Sequence, residues 1–187
     1  KRGGIMLKKG MILDESDKRV RQKNIDVIFP LSKDDRKMIK EMLKHLKESQ
    51  IEDIAQKYDL RPGMGLAAPQ VGINKRFFVI CHEEEPNKFK DYIMINPTLV
   101  SHSMELVYAG SGEGCLSVNR DIEGIVPRYA RVTMEGYDLD GNKIRIRARE
   151  ELSIAFQHEY DHLDGILFYD KINKKDPFYN AENMREL

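Results

Sequence analysis

Five residues, His158-Glu159-Tyr160-Asp161-His162, carry the strongest chemical signal in the chain. On a helix, residues four apart are separated by about 40° around the axis, so both imidazoles project to one side. Such a pair can meet a single metal ion, with Glu159 placed to work on water at that ion. The alternative is two satisfied histidines on a charged helix face. It is the poorer reading, because burying Glu159 and Asp161 without a metal or partner costs several kcal/mol.

Two histidines leave a catalytic centre one ligand short, since such sites usually supply three protein ligands and keep a fourth position for water. No downstream His or Glu stands in the familiar metalloprotease arrangement. The best third ligand is Cys115, in Gly112-Glu113-Gly114-Cys115-Leu116-Ser117, where glycines flanking Glu113 permit close backbone approach. Alone, a cysteine is more often a small buried hydrophobe; beside the histidine pair, ligation is the better reading. Cys81 ends an apolar run and reads as core. A third segment, Gly63-Met64-Gly65-Leu66-Ala67-Ala68-Pro69-Gln70, lacks the Lys-Ser/Thr of a phosphate loop. Its small residues suggest backbone approaching a ligand, with Gln70 offering an amide donor.

Taken together and in this order, GMGLAAPQ, EGCLS and QHEYDHLDG resemble the three signature motifs of the peptide deformylases. The resemblance covers residues 5 to 172 and looks most like the longer, Gram-positive-type subclass. One departure is N-terminal, where Lys18-Arg19-Val20-Arg21 replaces the usual proline-leucine-arginine pattern. The resemblance implies that Cys115, His158 and His162 bind one divalent metal ion, Fe2+ in the cell, with Ni2+, Co2+ or Zn2+ able to substitute. It implies metal-bound water as the nucleophile that removes formyl from N-formylmethionyl peptides and releases formate. Glu159 is then the general acid and base, and the Gln70 amide and Leu116 N–H stabilise the oxyanion. Met64 and Gly65 would pair with substrate backbone, Ile154 and Ala155 would contribute to the methionine slot, and Glu113 and Asp161 would orient ligands. The partners implied are formylated nascent chains at the ribosome.

These motifs need elements to position them. Pro30 precedes a helix for which Ser32 is the N-cap, with Asp35 at the capping-box position. Met38, Ile39, Met42, Leu43 and Leu46 form its apolar stripe. Ile51, Ile54, Ala55 and Tyr58 continue it or start a second helix, ended by Arg61-Pro62-Gly63. The spacing predicts strands at Arg76–Cys81, Tyr92–Ile95 and Met104–Tyr108, and a hairpin of 131–138 and 143–148 around Asp140-Gly141. In its second arm Ile144, Ile146 and Ala148 face inward, and the basic stripe of Lys143, Arg145 and Arg147 reads as solvated face. Helical period returns from Glu150 to Leu163 and stops at Asp164-Gly165. A strand-like run, Ile166–Ile172, follows, and the polar tail from Asn173 is expected to fray. The fold class expected is α+β, with antiparallel or mixed sheets packed around a central metal-binding helix and an N-terminal amphipathic helix.

The chain has 187 residues, 41% apolar and 33% charged, which fits one catalytic domain over 1–187 with 1–4 as a possible cloning remnant. Basic and acidic residues both number 31, so no global positive field points to nucleic acid. No apolar run approaches the roughly 20 residues of a membrane span. Two cysteines make no disulfide scaffold, and a cytoplasmic monomer is expected. Three rivals stand beside the amidase: a general peptidase on the same helix, a binder with a structural metal, and an inactive relative. A cysteine upstream argues against the first, no fourth ligand against the second, and the presence of Gln70 and Glu159 against the third.

Overall fold

A computed structural model describes Leu7 and residues 10–187, so the reading of 1–4 as a cloning remnant lies outside the described residues. Ser32 caps α1 (Lys33–Ser49), its Oγ accepting the Asp35 N–H at 3.1 Å. Asp35 does not reciprocate in the capping box; its carboxylate takes the Lys75 ammonium instead. Ile39, Met42 and Leu46 are fully buried, as the stripe requires. A second helix, α2 (Glu52–Tyr58), is separate and short. It stops at Asp59, in the left-handed region at φ 52°, before Pro62 is reached.

Five antiparallel strands make the main sheet, in the order β1 (Gly65–Ala67), β2 (Phe77–Glu85), β3 (Lys88–His102), β6 (Arg131–Tyr137) and β7 (Lys143–Arg149). Alternation along β2 explains its unbroken apolar run. Phe77, Val79 and Cys81 join the core cluster that contains Ile39, Met42 and Leu46 of α1. Phe78 and Ile80 point the other way, into the cluster of Phe156 and Leu163. A strand covered on both faces has no polar alternate positions. Phe156 meets the edges of Phe78 and Tyr92 at centroid distances of 5.6 and 5.4 Å. Burying each such ring contributes about 1.5–3 kcal/mol. On β6 and β7 one face is covered along its length, with Val132, Met134 and Ala148 buried; the other carries the exposed Arg131, Arg145, Arg147 and Arg149 and is covered only at Tyr137, which packs on Phe29.

The covering element is α3 (Glu150–His162), which follows β7 without a loop. Glu150 makes the corner at φ 59°, held by its N–H donating to Ala130 O at 3.0 Å. At the far end Gly165 has φ 73°, and a Cβ there would run into the Arg21 backbone, so glycine is required. Within Lys18-Arg19-Val20-Arg21, Val20 is buried, and Arg21 pairs with Asp170 beyond α3. This is the α+β architecture expected, with the central helix between sheet and cleft.

Two expectations fail. Ile166–Ile172 is not a strand: Leu167 and Phe168 are buried, but Asp170 accepts the Leu167 N–H at 2.9 Å and closes a 3-10 turn over Phe168–Lys171. The tail does not fray. Its β8 (Arg185–Glu186) pairs in parallel with β4 (Leu106–Tyr108), which also pairs with β5 (Arg128–Tyr129) in a second, mixed sheet. Arg185 holds both Glu105 and Glu150, tying the strand before the Cys115 loop to the first residue of α3.

Candidate metal centre and active-site cleft

One face of α3 looks across at the loop after β4. Cys115, His158 and His162 each offer a ligand atom there, all within 4.8 Å of one another. Cys115 Sγ lies 3.3 Å from His162 Nε2. The Nδ1 of His158 is 2.8 Å from Glu113 Oε1, which leaves its Nε2 for the centre. Arg61 holds the loop from the other side, donating to Cys115 O at 2.7 Å and Val118 O at 3.0 Å.

Behind the ligands sits a residue that sequence reading missed. Arg128, on β5, is 2% exposed and bridges two buried acids. Its Nε and Nη2 donate to Glu113 at 2.8 and 2.9 Å, and its Nη1 donates to Asp161 at 2.7 Å. Glu113 therefore does orient His158. The Asp161 carboxylate pairs with neither histidine among the described residues; it holds Arg128 and Lys171. Burial alone would raise the Glu113 carboxyl, but the Arg128 charge and the His158 and Arg128 hydrogen bonds outweigh it and hold it at about 2. The available signal was an arginine inside the apolar run Ile125-Val126-Pro127-Arg128-Tyr129-Ala130.

Glu159 lies between the histidines, its oxygens 4.0 Å from His158 Nε2 and from His162 Nε2. Burial lifts its carboxyl to about 7, despite the opposing charge of His158. Burial also disfavours a charged His158, but Glu159 and the Cys115 and Glu113 hydrogen bonds raise its pKa well above the ordinary value. His162 is pushed well below it by burial and by the His158 charge. A Cβ on Gly65 would come within 2.6 Å of Glu159 Oε2, so this glycine lets β1 lie directly against the carboxylate.

Gln70 is buried with its amide direction set by Ala67 N–H, which donates to Oε1 at 2.9 Å. Its Nε2 then points at Ser117 Oγ, 3.0 Å, and Cys115 Sγ, 3.5 Å. Ser117, another residue the sequence reading did not single out, thus helps aim the amide. Leu116 follows Cys115, and its side chain packs so close to Gly63 that a Cβ there would lie 2.7 Å from Leu116 Cδ1.

The centre opens into a cleft of about 750 Å³ lined by Met64, Gly65, Leu116, Ile154, Ala155 and Leu187, among others. Ile154 and Ala155 are 9% and 8% exposed, so they serve the core and the cleft wall at once. β1 is an edge of the main sheet and runs along this cleft.

The donor set fits a divalent metal ion. One sulfur and two imidazoles converge, and Glu159 Oε1 is buried with no protein hydrogen-bond partner among the described residues. Such a set suits zinc, nickel, cobalt or iron. Only three protein ligands converge among the described residues, as in catalytic centres; closed structural sites have four.

Residues 10–178 match the polypeptide deformylase family model. A peptide deformylase of Oceanobacillus iheyensis is 48% identical over 157 residues, covering 84% of this chain and 86% of that protein. Peptide deformylase 2 of Bacillus anthracis is 40% identical over 176 residues, 94% of this chain and 96% of that protein. Among solved structures, a plant peptide deformylase superposes with a TM-score of 0.75 at 28% identity, covering 94% of this chain and 85% of that one.

Proposed function

Because this chain belongs to the polypeptide deformylase family, we propose that it removes formyl from N-formylmethionyl peptides with a single divalent ion held by Cys115, His158 and His162. The observation that carries this reading is the placement of Glu159, a buried carboxyl 4.0 Å from both imidazoles and against an edge strand, where burial raises its pKa toward neutrality. A group poised near neutrality can both take and return a proton.

The ion, when bound, supplies a water of lowered pKa and a Lewis acid for the formyl oxygen. The chain's own residues do the rest. Met64 and Gly65, at the start of β1, pair with the substrate backbone in the manner of an added strand, which fixes the formyl amide beside Glu159. Glu159 accepts the proton of the attacking water at its carboxylate oxygen and delivers it to the departing peptide nitrogen. Gln70 Nε2 and the Leu116 N–H donate to the oxygen on which negative charge collects; one such donor is typically worth about 10²–10³ in rate. Ile154 and Ala155 form part of the slot for the methionine side chain. Glu113, held by Arg128, keeps His158 in the tautomer that presents Nε2.

We take the working ion to be Fe2+, with formylated nascent chains as substrate and residues 1–187 as one catalytic domain. The test is hydrolysis of a formyl-Met peptide by iron, nickel, cobalt and zinc forms, against an acetyl-Met peptide and an internal amide. Formate release from the formyl peptide alone is expected. Equal cleavage of the internal amide would make the protein a general peptidase, and zinc as the fastest form, with no oxygen sensitivity in the iron form, would overturn the iron assignment.

A further inference from the structure

Leu187 reaches the cleft from a part of the chain that carries none of the three motifs. Arg185 and Glu186 of β8 are exposed, but Leu187, which follows them, is partly buried. With Ala109 it packs against the small cluster of Val107, Ala130 and Ile154. Its backbone is held twice: the Leu187 N–H donates to Tyr108 O at 3.0 Å, and its carbonyl accepts the Gly110 N–H at 3.2 Å. A Cβ on Gly110 would run into the Glu186 carboxylate, so glycine lets the chain after β4 lie against this strand. Arg185, bound to Glu105 and Glu150, pins the same segment to the first residue of α3. The side chain of Leu187 therefore has a fixed place in the cleft.

Ile154 and Leu187 share one apolar cluster and both line the cleft, as do Ala109 and Ala155. Two branched aliphatic side chains and two alanines thus make an apolar wall from α3, the end of β4 and the end of β8. A wall of this kind reads a side chain by contact and volume, without a hydrogen bond. It suits an unbranched, flexible thioether.

We propose that Leu187 is a specificity-determining residue, completing the slot that Ile154 and Ala155 begin and setting the size of the first side chain that the enzyme accepts. This rests on the deformylation reading. In an apolar pocket a single missing methylene is worth roughly 10–200-fold, and truncating Leu187 removes a larger contact than that. The space it leaves admits a bulkier side chain.

Three peptides that differ only in their first residue, formyl-Met, formyl-Ala and formyl-Phe, test the proposal on the parent, L187A, L187F and L187M, all in the same metal form. The parent should prefer formyl-Met. In L187A the Met-to-Ala ratio of kcat/KM should fall at least about tenfold, mainly through KM, and the Phe-to-Met ratio should rise. L187F narrows the slot and should also lower the Met-to-Ala ratio, but without the gain for formyl-Phe. L187M, similar in volume, should keep the parental ratios. A residue that only supports the fold would scale all three substrates alike, so equal losses in L187A overturn the proposal. Parental ratios in both L187A and L187F overturn it too. In either case a parent that still deformylates formyl-Met leaves the deformylation reading standing. A parent inactive on all three peptides overturns that reading, and this proposal with it.

Discussion

Arg128→Met separates the charge that supports the centre from the ligands themselves. Arg128, Glu113 and Asp161 have side chains 1%, 4% and 11% exposed, so the substitution leaves two acids in a site that water barely reaches. Removing one partner of a buried pair costs about 3–5 kcal/mol. A second route gives a similar size. A Glu113 carboxyl held at about 2 against an ordinary 4.5 represents about 3 kcal/mol, at about 1.4 kcal/mol per pKa unit, an upper bound for Arg128 because His158 supplies part of it. Its sign is that of a depressed acid: the contribution is present above 4.5 and lost as pH falls from there toward 2. Lys171, 3.1 Å from Asp161, retains part of the neutralisation on that side, which favours the lower end of the range. For a chain of this length the melting temperature should fall by roughly 6–20 °C.

Metal binding should weaken separately, because Glu113 loses the partner that orients it on His158. Disturbing such a support typically lowers metal affinity about 10–100-fold. Urea unfolding of the metal-free protein reads the first effect, and competition with a chelator reads the second. R128M/E113Q/D161N removes the stranded charges and should recover most of the stability while leaving metal affinity low. Arg128→Met with less than about 1 kcal/mol of loss and parental metal affinity would refute the coupling. Failure of the triple variant to recover would mean that Arg128 acts by packing and not by charge.

Glu159→Gln should keep its metal and lose about 10²–10⁴ in rate; bound metal and turnover measured on one sample check this, and a near-normal rate would sink the assigned role. Cys115→Ser should lower metal affinity sharply, whereas Cys81→Ser, whose thiol burial pushes up to about 12, should alter stability and leave catalysis alone. Arg185→Ala should release β8, seen as faster amide exchange at Leu187, whose N–H donates to Tyr108 O at 3.0 Å, and as a raised KM because Leu187 lines the cleft. Burial holds His45 below its ordinary 6.5, so its unfolded form takes up protons first and stability falls as pH drops below that value. His45→Gln should flatten this loss in urea titrations, and an unchanged pH slope would show that other groups cause it.

What could be read from the chain alone was whatever repeats locally. The period of four that aligns His158 and His162, the double-sided run of β2 and the alternation of Ile144, Ile146 and Ala148 each need only neighbouring residues. What escaped depends on distant partners. β8 is a strand because Val107 lies beside Arg185 in the register, and nothing in its own polar sequence requires that. Ile166–Ile172 has strand-like residues but no partner, so Asp170 closes it into a turn. The basic stripe on β7 was legible as a stripe; that Glu135 neutralises one end depends on β6. Arg128 is the instructive omission. Glu113 and Asp161 were already assigned to support the ligands, and two acids near a metal centre cannot both be buried without a compensating cation. That requirement sends the search to basic residues with apolar neighbours, and the run around Arg128 meets it. Charge balance around a suspected site therefore reaches across sequence separations, here 15 and 33 residues, that periodicity cannot.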